Sequence, residues 1–156
     1  TGFSSFFGSV PDDPSATGRA AALIGQGRVE ASPLAMAGVV ASVSAGRTVL
    51  PYLVEGGDRP QAKGKPLTAD EADQLRQMMR AVVTSGSARV LSDVDGAVIA
   101  KTGTAEYGTT TPFRTHAWMI AGKGDLAVAV FVQDGESGSR TAGPLLRTFL
   151  NGAGRT

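Results

Sequence analysis

The chain has 156 residues, 42% hydrophobic and 19% charged, which is enough length and apolar content for one buried core. Its 15 basic and 14 acidic side chains give a formal net charge of +1 and are scattered, which excludes the clustered basic face that nucleic-acid binding needs. No cysteine and a single histidine, His116, exclude disulfides, thiol chemistry and thiolate or multi-histidine metal sites, so no metal and no cofactor is expected.

In chain order, Gly2, Gly8, Pro11, Pro14 and Gly18 with Asp12 and Asp13 read as loop. Phe3, Phe6 and Phe7 punctuate it and are expected to pack on a core, with the lining of a cleft as the sharper alternative. Gly25 and Gly27 read as turn glycines. Ser32 is a good N-cap and Pro33 suits the first helical position, so a helix is expected from Ser32 to Ser44, stopped by Gly46. Its mixture of Leu34, Val39, Val40 and Val43 with alanines predicts burial on most sides. Val49 to Val54 reads as a short strand or extended segment with Pro51 at an edge, followed by a polar loop, residues 56–66, with Lys63 and Lys65. Thr68 and Glu71 fit a capping box that opens a second helix, and Ala72, Leu75, Met78, Met79 and Val82 recur as one apolar face. Asp70 and Glu71 near its start and Arg80 near its end complement the helix dipole.

The second half reads as sheet. Asp95-Gly96 turns the chain into the apolar run Ala97–Ala100. After a loop over residues 107–114, the runs His116–Ala121 and Leu126–Gln133 flank Gly122-Lys123-Gly124-Asp125, a hairpin signature. The residue pattern of Leu126–Val132 predicts a strand buried on both faces. Leu145, Leu146, Phe149 and Leu150 space like a helix packed on that sheet, with Gly143-Pro144 at its start and Gly152 at its end. Helices around an antiparallel sheet make the fold class α+β. No apolar stretch approaches the length needed to span a bilayer, so no membrane segment is expected here.

One string carries chemistry. Lys101-Thr102-Gly103-Thr104-Ala105-Glu106 continues from the predicted strand and sets a cation beside two hydroxyls at or near the strand's exposed end. Gly103 has no Cβ, so a ligand backbone can approach closely. Thr102 and Thr104 both donate and accept hydrogen bonds. Such a rim is suited to an anion and an acyl group. A solvated lysine that protects an edge strand is the plainer alternative.

This string resembles the Lys-Thr-Gly motif of the penicillin-recognising serine acyltransferases. Ile24-Gly25-Gln26-Gly27 with Ser32–Ala37 resembles the segment after the second motif of class B penicillin-binding proteins, and His116–Gly122 resembles their following strand. The resemblance runs from about Phe3 to Leu150 and is greatest to the actinobacterial penicillin-binding protein A type. No Ser-x-x-Lys and no Ser-x-Asn occurs, and the one asparagine is Asn151. With Thr1 rather than methionine at the start, the resemblance implies that residues 1–156 are the C-terminal half of a single transpeptidase domain, the nucleophile lying upstream.

What the resemblance implies is a peptidoglycan D,D-transpeptidase that works through an acyl-serine and is acylated by β-lactams. A D,D-carboxypeptidase or serine β-lactamase, or a non-catalytic sensor or scaffold, are the alternatives. By the same resemblance Lys101 supplies positive charge, and the Thr104 backbone N–H is one oxyanion donor. Thr102 and Thr104 hold the ligand carboxylate, and Gly103 lets the acyl chain lie along the strand. The implied partners are the stem peptide, β-lactams and the N-terminal half of the same protein. The implied location is the extracytoplasmic face of the bacterial membrane, with the anchor upstream. His116 and Glu106 are expected to be structural, Trp118 to be core with its indole N–H satisfied locally, and Arg114 to be a solvated loop charge.

Overall fold

The first three helices begin where a side chain satisfies one of their first free amides. The computed structural model describes residues 6–12, 15–52, 54–57, 60–62 and 64–153. Helix α1, Ala16–Ala22, starts at Ser15, whose Oγ accepts from the Gly18 N–H at 2.9 Å. Helix α2, Pro33–Ala45, starts at Ser32, whose Oγ accepts from the Ala35 N–H at 3.1 Å, and stops at Gly46 with φ 63°. Helix α3, Ala69–Thr84, carries the expected capping box: the Thr68 N–H donates to Glu71 Oε2 at 2.8 Å and the Glu71 N–H donates to Thr68 Oγ1 at 3.2 Å. Helix α4, Gly143–Ala153, follows a π-helical turn over Gly138–Ala142.

Two short strands, β1 (Gly8–Ser9) and β2 (Glu30–Ala31), pair antiparallel. The main sheet has the order β3 (Val98–Tyr107), β4 (Arg114–Lys123), β5 (Leu126–Val132), antiparallel throughout. Lys101 lies opposite Ile120, and Gly103 opposite Trp118. The β4–β5 turn needs two residues between Lys123 and Leu126, and Gly124 takes φ +58° there, a conformation that favours glycine.

Strand alternation divides the core between the two sheet faces. Val98, Ala100, Ala117, Met119 and Ala121 pack with Leu91, Val94 and with Leu146 and Leu150 of α4. Ile99 and Ile120 pack on the other face with Val40 and Val43 of α2 and Met79 of α3. Leu91, Met119, Leu146 and Leu150 are fully buried, each contributing about 1.5–3 kcal/mol relative to exposure. The sheet therefore sits between helices, as the α+β reading expects.

Several local expectations are corrected. The segment read as loop before residue 18 holds β1 and the start of α1, because Ser15 caps a helix that tolerates Gly18 near its start. Of the strand and extended-segment readings for residues 49–54, Val49 does not begin a strand: its N–H donates to Ser42 Oγ at 2.9 Å, so a side chain replaces the ladder partner. Phe3, Leu53 and Lys63 lie outside the described residues. Helix α2 buries Val40 and Val43 but exposes Leu34 and Val39, since the sheet covers only one side of it. In α3 Met78 is 57% exposed and Val83 is buried in its place, a shift of the buried stripe toward β3. Arg80 does not serve the α3 terminus; its Nη1 donates to the Val98 carbonyl at 2.8 Å and ties α3 to β3. Strand β5 is half-buried along its length, not buried on both faces. On α4, Leu145 and Phe149 point outward while Leu146 and Leu150 meet the sheet, and Gly152 lies inside the helix.

Candidate active site on the free edge of the sheet

Lys101 to Glu106 lie within the ten-residue strand β3, not at its end, and among the described residues β3 is an edge strand. The orientation of that edge follows from its acceptors. The carbonyls of Val98, Thr102 and Thr104 accept from Arg80 Nη1, Lys101 Nζ and Gln26 Nε2 at 2.8, 2.6 and 3.0 Å. Carbonyls so engaged by side chains point away from β4. In an antiparallel strand a residue's N–H and C=O point to the same side, so the Thr104 N–H faces the free edge as well.

The side chains divide between the two faces. Lys101 and Gly103 share the face of Ile120 and Trp118. Thr102 and Thr104 point to the opposite face. There the Thr102 and Ser87 hydroxyls lie 2.6 Å apart, and Thr104 Oγ1 accepts from the Gly138 N–H at 3.3 Å. A ligand laid along this edge thus meets a cation on one side, two hydroxyls on the other, and a backbone donor between them.

A cavity of about 600 Å³ opens beside this edge, lined by Lys101 to Ala105 and by Phe6, Gln26, Met36, His116, Trp118 and Phe131 among others. Lys101 and Thr104 are solvent-exposed within it. An added Cβ on Gly103 would stand 3.3 Å from Trp118 Cβ, so Trp118 limits what position 103 can hold. Phe6 takes the sharper of the two expected roles: it is 62% exposed and lines the cavity, and Phe7 is likewise exposed rather than packed in the core.

The floor continues as an aromatic row. Tyr107 stacks on His116 with ring centroids 3.8 Å apart, His116 meets Phe131 edge-on at 5.1 Å, and Phe131 lies 4.5 Å from Trp118. Trp118 is therefore a half-buried cavity wall and not core: α2 covers Ile120 on the same face of β4, while Trp118 borders the cavity. His116 Nδ1 donates to the Gln133 carbonyl at 2.7 Å, the structural role expected of it. Arg114 begins β4, pairs with Asp134 and stands 5.1 Å over the Tyr107 ring, so it is an anchored strand residue instead of a solvated loop charge. The Tyr107 hydroxyl also donates to Asp134. That bond, with the Arg114 guanidinium, holds the Asp134 carboxyl below the usual carboxylate range, while partial loss of water and the bond to Asp134 raise the Tyr107 hydroxyl. Glu106 is exposed and borders a neighbouring groove.

Gln26, Ser87 and Gly138 escape the reading of the motif alone. Gln26 sits between two turn glycines with φ of 74° and 73°, a local sign that its side chain rides on a turn tip. Ser87 and Gly138 reach the motif across 15 and 34 residues, and no local pattern marks them. Among the described residues no cluster of three or more metal-ligating side chains occurs.

Solved structures share the fold. A complex between a penicillin-binding protein (PBP2) and MreC from Helicobacter pylori matches at TM-score 0.76 and 23% identity over 96% of this chain and 31% of that one. Pseudomonas aeruginosa PBP2 in complex with WCK 5153 matches at TM-score 0.61 and 26% identity over 82% of this chain and 30% of that one. The D,D-transpeptidase domain of a peptidoglycan glycosyltransferase from Eggerthella lenta matches at TM-score 0.60 and 26% identity over 83% and 34%. The chain thus spans about a third of the length of these structures. No curated protein sequence matches it. The family model of the penicillin binding protein transpeptidase domain matches residues 2–151, nearly the whole length over which the sheet, its free edge and its flanking helices are built, and the chain belongs to that family.

Proposed function

We propose that this chain is the C-terminal part of the transpeptidase domain of a class B penicillin-binding protein, of the actinobacterial penicillin-binding protein A type. The complete protein cross-links D-Ala-D-Ala stem peptides of peptidoglycan through an acyl-serine and is acylated by β-lactams, at the extracytoplasmic face of the membrane. The observation that carries this reading is the free β3 edge, with Lys101 and Gly103 on one side, Thr102 and Thr104 on the other, and a cavity alongside.

In this reading the ligand adds to β3 as a further strand. The Thr104 N–H, already aimed at the edge, polarises the acyl carbonyl; donors of this kind contribute about 2.7–4 kcal/mol to the transition state. Lys101 supplies positive charge where the attacking serine loses its proton, and the Thr102 and Thr104 hydroxyls hold the carboxylate. The serine, its lysine and the second motif come from the N-terminal half of the same protein, and the exposed Leu23, Leu34 and Val39 are apolar surface it covers.

The test is penicillin acylation of the complete protein. Lys101→Ala is expected to lower labelling by a fluorescent penicillin more than about 100-fold, the scale of one preorganised group at a reacting centre, with the thermal unfolding midpoint unchanged. Normal labelling of that variant would sink the role of Lys101. Rapid turnover of the acyl-enzyme would indicate β-lactamase chemistry instead.

A further inference from the structure

Both motif hydroxyls are engaged from behind. Thr102 Oγ1 lies 2.6 Å from Ser87 Oγ, and Thr104 Oγ1 accepts from the Gly138 N–H at 3.3 Å. A hydroxyl has one proton and two lone pairs, and a carboxylate only accepts. A threonine that accepts from the protein keeps its single proton for the ligand. The two backing contacts therefore bear on which way these hydroxyls point their protons.

The backing groups are themselves held. Ser87 follows Gly86, where an added Cβ would fall 2.8 Å from Val82 Cα, and precedes buried Ala88, whose N–H donates to the Val82 carbonyl at 2.9 Å. That turn seats Ser87 against β3. Gly138 is buried at the first position of the π-helical turn; an added Cβ there would stand 2.3 Å from the Trp118 carbonyl oxygen and 2.8 Å from that of Gly103. The turn thus rests directly on the Lys-Thr-Gly strand, and π-helical turns occur frequently at functional sites.

We propose that Ser87 and Gly138 are positioning residues that commit Thr102 and Thr104 as donors to the carboxylate of the ligand. Ser87 gives its proton to Thr102, and Gly138 gives its N–H to Thr104. This rests on the transpeptidase reading above.

The experiment compares acylation of the complete protein by benzylpenicillin and by its methyl ester, which lacks the anionic carboxylate. Ser87→Ala is expected to lower the acylation efficiency of the free acid by about 3- to 10-fold, the range one neutral hydrogen bond commands. The ester's efficiency is expected to stay unchanged, and Ser87→Thr to restore the free acid. Equal loss with both probes, or no loss with either, overturns the assignment while leaving the transpeptidase reading in place. A wild-type protein acylated by neither probe overturns that reading and this assignment together, so the two failures are separable. Ser87 is exposed and its variants fold without a buried defect.

Discussion

Gly103 and Gly138 meet at the middle of β3, one within the strand and the other pressed on its rear face. Each position is set by what a Cβ would strike. At Gly103 the nearest obstacle is Trp118 Cβ at 3.3 Å, so a branched side chain displaces the indole into the cavity or itself fills the ligand's path. Gly103→Val in the complete protein is expected to cut penicillin acylation by about tenfold or more, a loss of ~1.4 kcal/mol or more in transition-state binding. Stopped-flow acylation measures it, and an unchanged rate would refute close backbone approach. Gln26 matters at this scale as well. Its amide donates to the Thr104 carbonyl, the acceptor that an added strand would use, so in the proposed function a ligand shares that carbonyl with Gln26 or displaces it.

At the scale of elements, helix starts carry a large share of the local information. Ser32 and Thr68 cap α2 and α3, the helices that pack on the cavity-bearing face of the sheet. Ser32→Ala is expected to cost about 1 kcal/mol of stability, the usual loss for an N-cap hydroxyl, read from denaturant midpoints. Acid sensitivity follows from the ion pairs and caps. Backbone and side-chain hydrogen bonds from Thr68 lower the Glu71 carboxyl, Arg147 lowers Asp93, and Tyr107 with Arg114 lowers Asp134. Each is lowered on folding, so the unfolded chain binds more protons in acid. The contribution is whole above the ordinary carboxylate range and is lost as pH falls below about 4 through the lowered values. Glu71→Gln keeps the capping geometry but not the titration. It is expected to lessen the stability lost between pH 7 and pH 3.5, as followed by urea unfolding at the two values.

For the whole molecule, the edge of β3 and the exposed apolar residues form the surface that the proposed function assigns to upstream residues of the same protein. If upstream residues of the same protein complete it, the chain alone is expected to show no penicillin labelling, and co-expression with those residues to restore it. Labelling of the isolated chain would refute the split. The α+β class, the three antiparallel strands, the caps at Ser32 and Thr68 and the Lys101–Thr104 motif were legible in the sequence, because caps, turns and strand alternation act over a few residues. Of the strand and the extended segment expected for residues 49–54, the strand is not taken up at Val49, since Ser42 Oγ occupies the amide a neighbouring strand would have used. The placement of Trp118 on the cavity wall and of Leu145 and Phe149 on the surface depended on where α2 and α4 cross the sheet. By itself the sequence determined that the Lys101–Thr104 motif lies on a strand. Only the tertiary structure decided that this strand is an edge, which face each side chain takes, and that Gln26, Ser87 and Gly138 close on it. Those facts depend on contacts between residues far apart in the chain, which local periodicity does not encode.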